Sequence, residues 1–445
     1  MEKNDYYEVD ILDTGYEGEG IAKIDGYTTF IKGAIKGEKV KIKMLKTNKD
    51  FGFAKLEEII KKSDNREEPI CEVFDKCGGC SLQHMSYESQ LDFKTNLVKA
   101  TLKKQLGYEP VVENIIGMGV PYNYRNKAQY PVTNGKIGFY AERSHLLIEN
   151  KKCYIQNALT DKMAKDAFEI TQKYNVPAYD EKTGKGFLRH IVTKVAVNTN
   201  ESMLMFITNG EKFKDSEKIV KDILELYPAL TSIVQNVNTE NGNVILGEKC
   251  INLYGKTYIV DELAGYKFKI SPLSFYQVNP IQTEILYNIA KDYAKFNGSE
   301  NVFDLYCGIG TISIFIADSV KTVFGVEVVE DAIKDAKENA EMNKKKNIEF
   351  EVGEVETVIP KMYKEGKTAN IIFVDPPRKG CDEKLLETIK DMEAEKVIYI
   401  SCNPATLARD LKYLTDNGYE IRKIQPVDMF PQTSHVETVC LLERK

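Results

Sequence analysis

From about Phe268 onward, short apolar runs alternate regularly with helical stretches, and several runs stop at polar motifs rich in proline or glycine. Val302–Leu305, Thr322–Val326, Ile348–Val352, Ile371–Val374 and Val397–Ile400 read as strands, with helices such as Ile281–Ala294 and Glu330–Lys344 among them. This alternation predicts an α/β fold built on a doubly wound parallel sheet. Such sheets put ligands just beyond the carboxyl ends of their strands, so the residues that follow each run are the place to look for chemistry.

The first run leads into Phe303-Asp304-Leu305-Tyr306-Cys307-Gly308-Ile309-Gly310-Thr311, a turn whose glycines let backbone approach a ligand. Glu327 ends the next strand, where an acid can accept hydrogen bonds from ribose hydroxyls. The dinucleotide fingerprint GxGxxG is absent, since Thr311-Ile312-Ser313 follow Gly310. An acid before a CGxG turn fits S-adenosylmethionine better. Asp375-Pro376-Pro377-Arg378 follows a later strand, and its two prolines make a stiff pocket wall. Arg378 stands where enzymes that methylate exocyclic amines usually carry a stacking aromatic residue, which leaves a carbon target open.

Ser401-Cys402-Asn403-Pro404 closes the next strand. A lone cysteine is more often a small hydrophobe than a nucleophile. Here its strand-end position, its polar neighbours and a helix N-terminus near Pro404, which stabilises a thiolate, reverse that preference. Cys307, inside the cofactor turn, ranks second. Glu437 enters the last apolar run, Val436 to Leu442, which is expected in the same sheet.

The chain has 445 residues, 42% apolar and 29% charged, enough for two or three domains of an ordinary soluble protein. No apolar run approaches a membrane span and the first residues lack the regions of a signal peptide, so a reducing cytosol is expected. There, clustered cysteines suggest metal rather than disulfides. Cys71, Cys77 and Cys80 give C-x5-C-x2-C, with Cys153 alone further on. Three close thiols and a distant fourth suit a closed [4Fe–4S] cluster, with zinc as the alternative and unliganded thiols third. Cys250, Cys381 and Cys440 have no supporting context and read as structural.

Residues 1–60 read as a small all-β unit of short runs and frequent glycines. Lys32 to Lys49 holds seven lysines and one acid, Glu38. Alternation in Lys39-Val40-Lys41-Ile42-Lys43-Met44 puts lysines on one face and apolar residues on the other. That face is either solvated or a phosphate-contacting face of a small barrel; the net charge of −6 excludes only a uniformly basic coat. Residues 61–69 are polar and read as a linker, Ser86–Leu106 as a helix, and 108–265 as mixed and mostly β.

Together, SPLSFYQVNP, DLYCGIG, VDPPRKG and SCNPATLARD, in that order, with the cysteine spacing, resemble the bacterial RNA (uracil-5-)-methyltransferases of the RumA/RlmD/RlmCD type. The resemblance covers nearly the whole chain. It implies a TRAM (OB-like) RNA-binding barrel over 1–60, a central domain with an iron–sulfur site over 61–265, and a Rossmann-like S-adenosylmethionine-dependent methyltransferase domain over 266–445. Gln277, Tyr306 and Glu327 would bind the cofactor, Asp375 would lie at the cofactor–uracil junction and share in catalysis, Cys402 would be the nucleophile and Glu437 the base. Cys71, Cys77, Cys80 and Cys153 would ligate the cluster. Ser86–Leu106 would pack on the catalytic domain. The implied partner is RNA, with 23S rRNA favoured over tRNA because the tRNA branch generally lacks the barrel and cysteine portions; no membrane and no obligate protein partner are implied. Arg125, Lys127, Arg143, Arg189 and His190 are candidate RNA contacts. A methyltransferase of another target would not need Cys402, and an RNA-binding module without activity would tolerate eroded cofactor motifs, of which none is seen.

Overall fold

The computed structural model describes residues 2–445. Its largest sheet has seven strands: β1 (Asn301–Leu305), β2 (Thr322–Glu327), β3 (Ile348–Val352), β4 (Ile371–Val374), β5 (Lys396–Ser401), β6 (Tyr419–Val427) and β7 (Glu437–Arg444). Their order is β3-β2-β1-β4-β5-β7-β6. β1 to β5 pair in parallel, and β7 runs antiparallel to both β5 and β6. From β1 the chain winds outward to β3, then returns to start β4 on the other side of β1, so the crevice between β1 and β4 is a topological switch point.

Apolar runs fill both faces of this sheet. Helices Pro280–Ala294, Thr311–Ile316 and Glu330–Met342 bury one face, sharing a core with Phe373, Ile398 and Val439. Helices Val355–Lys364, Glu383–Met392 and Pro404–Asp416 cover the other, around Ile372, Tyr399 and Leu442. Helix Tyr87–Leu106 also lies on this second face, through Val98, Leu102 and Leu106. β6 has no apolar run of its own and was not expected. It lies at the sheet edge, with a register shift at Ile421/Lys423, and leaves Glu420, Arg422 and Lys423 exposed.

A second six-stranded sheet includes Lys127–Thr133, Leu188–Val195, Ser202–Thr208, Ser232–Val237 and Lys249–Gly255. Leu204 and Phe206 face helices Ala158–Lys173 and Ser216–Leu226, while Met203, Met205 and Ile207 join the core of the catalytic sheet. Strands buried on both faces lose the polar–apolar alternation, which is why this region shows so little periodicity in sequence. The hairpin Ile259–Leu263/Tyr266–Ile270 packs with the catalytic core, so a boundary between 265 and 266 would pass through its turn.

At the N-terminus six strands form one sheet. Tyr6–Asp10 pairs with Lys39–Thr47 at one edge and Asp13–Thr14 with Gly20–Ile24 at the other. Only Ile11 and Leu12 separate the two segments, so a single bent strand closes the sheet into a barrel. Val40, Ile42 and Met44 fill its interior. Residues 61–69 are not a loose linker. The strand Phe51–Lys61 reaches the first of them, and Arg66 pairs with the buried Glu38 and donates to the Gly33 carbonyl at 2.6 Å. Among the described residues no helix is long and apolar enough to cross a membrane.

Candidate active site

The antiparallel register of β5 and β7 pairs Ser401 with Thr438. One step further toward the end of the sheet, Cys402 therefore faces Glu437. The same end carries Tyr306 after β1, Glu327 at the tip of β2 and Asp375 after β4. With Gln277, these residues line one cavity of about 980 Å³.

Each part is held by local chemistry. Tyr306 has φ of +65°, and its hydroxyl donates to Glu356 Oε1 at 2.8 Å. Gly308 has φ of +55°, and a β-carbon there would meet nothing within 4 Å, so the turn leaves open space beside it. Glu327 accepts the Gly308 and Val329 N–H groups at 3.3 and 3.0 Å, which suspends its carboxylate at the cavity edge. The loop before Gln277 is pinned by buried Lys194, whose amine donates to the carbonyls of Ser271 and Pro272 at 2.9 Å and of Ser274 at 3.2 Å. Asn126 donates to the Gln277 carbonyl at 3.0 Å. Asn403 caps helix Pro404–Asp416 by accepting the Ala405 N–H at 3.0 Å, which fixes the turn that carries Cys402.

The electrostatics depart from one expectation. Cys402 is partly buried, and its thiol is pushed up to about 11 by burial first, then by Glu437 and Asp375, with Arg378 opposing. The helix N-terminus does not outweigh those influences, so the free protein does not rest as a thiolate near neutral pH. Burial, then Asp304, raises Asp375 to about 7. Burial, then Asp375, raises Glu437 well above the carboxylate range, and Arg378 again opposes. Two carboxyl groups sharing one low-dielectric pocket can readily hold a proton between them. Cys307 lies on the same cavity but is buried, and its thiol is raised well above its ordinary value by burial, then by Asp304 and Glu327.

Cys71, Cys77, Cys80 and Cys153 line a separate cavity of about 210 Å³, none of them in a disulfide. Among the described residues no group of three or more His, Cys, Asp or Glu side chains is disposed to hold a metal ion. Arg125 lines both this cavity and the large one, and its buried Nε lacks a partner. The other candidate RNA contacts divide. Arg189 is buried and donates to the Asn238 and Glu240 carbonyls, and His190 is buried inside its strand. Lys127 is partly buried, and Arg143 is exposed but paired with Glu17. Arg189 and His190 are thus structural rather than surface contacts.

Two features escaped the sequence reading. Tyr16, in a loop of the N-terminal barrel, donates to Asn403 Oδ1 at 3.4 Å, beside Cys402. Phe275, 66% exposed and two residues before Gln277 in the SPLSFYQVNP motif, and Phe430, outside the motifs, also line the cavity, and neither was singled out. A parallel sheet with its ligand cavity at the switch point, an acid beyond the glycine turn and a strand-end nucleophile candidate defines the class: an S-adenosylmethionine-dependent methyltransferase.

Known relatives narrow the class. Residues 253–445 match the tRNA (Uracil-5-)-methyltransferase family model and residues 2–56 the TRAM domain model. An uncharacterized RNA methyltransferase of Listeria monocytogenes is 50% identical over 99% of this chain and 98% of its own length. Another from Halalkalibacterium halodurans is 48% identical over 100% of this chain and 98% of its own. The crystal structure of Pyrococcus abyssi tRNA (uracil-54, C5)-methyltransferase in complex with S-adenosyl-L-homocysteine superposes with a TM-score of 0.80 at 28% identity, covering 98% of this chain and 100% of that one. The chain belongs to the RNA (uracil-5-)-methyltransferase family.

Proposed function

We propose that this enzyme methylates C5 of a uridine in structured RNA through a covalent adduct on Cys402. The observation that carries the reading is the register that sets Cys402 opposite Glu437 on the cavity shared with the cofactor residues. The Cys402 thiol passes its proton to the Asp375 carboxylate as its sulfur bonds to C6, and the C5=C6 π pair moves onto the O4 carbonyl as an enolate. C5 then takes the methyl group of S-adenosylmethionine, leaving S-adenosylhomocysteine. Glu437 removes the C5 proton, the double bond reforms and the sulfur leaves C6. Gln277, Tyr306 and Glu327 hold the cofactor, and Asp375 sits between cofactor and uracil. C5 and C6 lie inside a base stack, so the target must be unstacked to enter.

The reading of an iron–sulfur cluster rests on the C-x5-C-x2-C spacing with Cys153 and on the one cavity, of about 210 Å³, that all four thiols line. When bound, a fully ligated cluster supplies a structural cross-link rather than radical chemistry.

The function divides as barrel 1–60 for RNA, a centre from 61 to the start of the 259–270 hairpin for the cluster and the remainder for catalysis, and the compartment is the cytosol. The Pyrococcus neighbour acts on tRNA yet is matched over its whole length by this chain, barrel region included, so that architecture does not favour 23S rRNA over tRNA. The 23S rRNA reading rests on the motif resemblance, and the tRNA reading on that neighbour. Mapping 5-methyluridine in both RNAs from a deletion strain separates them. For the mechanism, Cys402→Ala should abolish adduct and methylation together, and Glu437→Gln should accumulate protein bound to methylated RNA. RNA containing 5-fluorouridine should trap the unaltered enzyme on denaturing gels. Methylation by Cys402→Ala would refute the nucleophile and turn attention to Cys307.

A further inference from the structure

The segment 428–436 joins β6 to β7, carries Phe430 and His435 to the large cavity and ends at Glu437. Glu437 is the first paired residue of β7, set against Val427, and sheet pairing continues only on its carboxyl side. On its amino side the segment is held by residues far away in sequence and outside the cavity. Gln432 is 1% exposed and has φ of +71°, a conformation that a residue with a β-carbon adopts only when its surroundings impose it. Its N–H donates to Gln90 Oε1 at 3.1 Å, and its Oε1 accepts from Gln90 Nε2 at 3.0 Å. Its carbonyl accepts the N–H groups of Ser81 and Leu82 at 3.0 and 3.1 Å. The Ser434 N–H donates to Ser81 Oγ at 3.0 Å. Gln90 is itself fixed by donating to the Met85 carbonyl at 3.0 Å.

We propose that Gln90 and Gln432, with the Ser81 and Leu82 amides, form a latch that positions Glu437 for proton removal from C5. The inference rests on Glu437 being the base. Because Ser81 directly follows Cys80, the latch shares its backbone with the cysteine cavity and links that site to the base. Cys402 is carried by β5 and the capped turn after it, so the latch acts on the late step and spares the first one.

The test compares Gln90→Ala, Gln432→Gly and Glu437→Gln in the full chain, purified anaerobically. Gln432→Gly suits the left-handed backbone and keeps the carbonyl bonds to Ser81 and Leu82, so it carries the test if Gln90→Ala does not fold. Gln90→Ala should trap 5-fluorouridine RNA within about twofold of the unaltered rate, lower turnover on ordinary RNA at least tenfold and accumulate methylated adduct. Its RNA KM and the visible absorbance of the cysteine centre should not move. Gln90→Glu, which keeps an oxygen facing the Gln432 N–H, should recover part of the turnover. Equal losses of trapping and turnover in both folded latch variants, or unchanged turnover, would overturn the latch while Glu437→Gln still accumulates adduct. No adduct from Glu437→Gln would instead overturn the assignment of the base, and the latch with it.

Discussion

Removing the amine of Lys94 should be among the most damaging single changes that leave the reacting groups in place. Lys94 lies on helix Tyr87–Leu106, and its side chain and that of Asp428 are both 0% exposed. The amine donates to Asp428 Oδ1 and, at 3.1 Å, to the Phe430 carbonyl. Asp428 also accepts the Tyr87 hydroxyl at 2.8 Å. In Lys94→Met the apolar stem is replaced almost in full, but Asp428 is left as a buried anion with one neutral donor. Breaking a buried pair from one side costs about 3–5 kcal/mol, mostly the uncompensated charge. At about 2–4 °C per kcal/mol for a unit of 150–250 residues, the first thermal transition should fall by roughly 6–20 °C. Lys94→Met/Asp428→Asn removes the stranded charge and keeps an acceptor for Tyr87, so it should be roughly 2 kcal/mol less damaged than the two single changes added together. Scanning calorimetry of both single variants and the double at pH 7.5 is the assay. A first transition within about 2 °C of the unaltered protein at pH 7.5, or strictly additive variants, would refute the reasoning.

Anaerobically purified protein should be brown and hold about four irons and four sulfides per chain, and one zinc without sulfide would sink the cluster. On the barrel, Lys32, Lys36 and Lys39 are engaged with Glu142, Asp13 and Glu8, whereas among the described residues Lys41, Lys43, Lys46 and Lys49 form no ion pair. Changing those four to alanine should flatten the salt dependence of RNA binding by about 0.7–0.9 for each phosphate no longer neutralised, measured by filter binding, while cofactor affinity holds; an unchanged slope would mean that they only face solvent. In Gly325→Ala the new methyl would lie 2.6 Å from Phe350 and 3.0 Å from the Cys307 sulfur, behind the cofactor turn. Overpacking of about 1–3 kcal/mol should weaken S-adenosylmethionine binding by tenfold or more in calorimetry, and an unchanged affinity would show that the turn does not feel this crowding.

What the sequence made legible follows the physics of parallel strands. β1, β2, β4 and β5 are short apolar runs that end in polar motifs, so both their existence and the chemistry at their ends could be read together. β7 was legible as a run beginning next to Glu437, although not its direction, which is what brings Glu437 to Cys402. β6 was hidden because an edge strand with Glu420, Arg422 and Lys423 in it carries no apolar signature. The central sheet was blurred for the opposite reason, being buried on both faces. Arg189 and His190 look like RNA contacts in sequence because charge there suggests a surface. Arg189 is buried instead, donates from Nη1 to the Asn238 and Glu240 carbonyls and lies over the Tyr179 ring at 4.5 Å.

The thiol of Cys402 shows where one-dimensional reasoning reverses sign. A helix N-terminus two residues on argues for a thiolate, and that is visible in sequence. Burial and the two carboxyl groups argue against it, and those come from β4 and β7, whose approach depends on sheet order. The opposing contributions are unequal: a helix terminus is worth typically about 0.3–1 kcal/mol when exposed, whereas desolvation and nearby like charges shift a pKa by about 1–3 units or more, each unit about 1.4 kcal/mol. The protonated resting thiol then has a chemical consequence. In the proposed mechanism, addition to C6 needs the proton to leave as the bond forms, and the groups that hold the thiol up are carboxyls whose own values are raised. Burial, then Asp304, raises Asp375 to about 7. The same pocket that keeps the Cys402 thiol protonated thus places beside it a carboxyl able to take that proton as the bond to C6 forms.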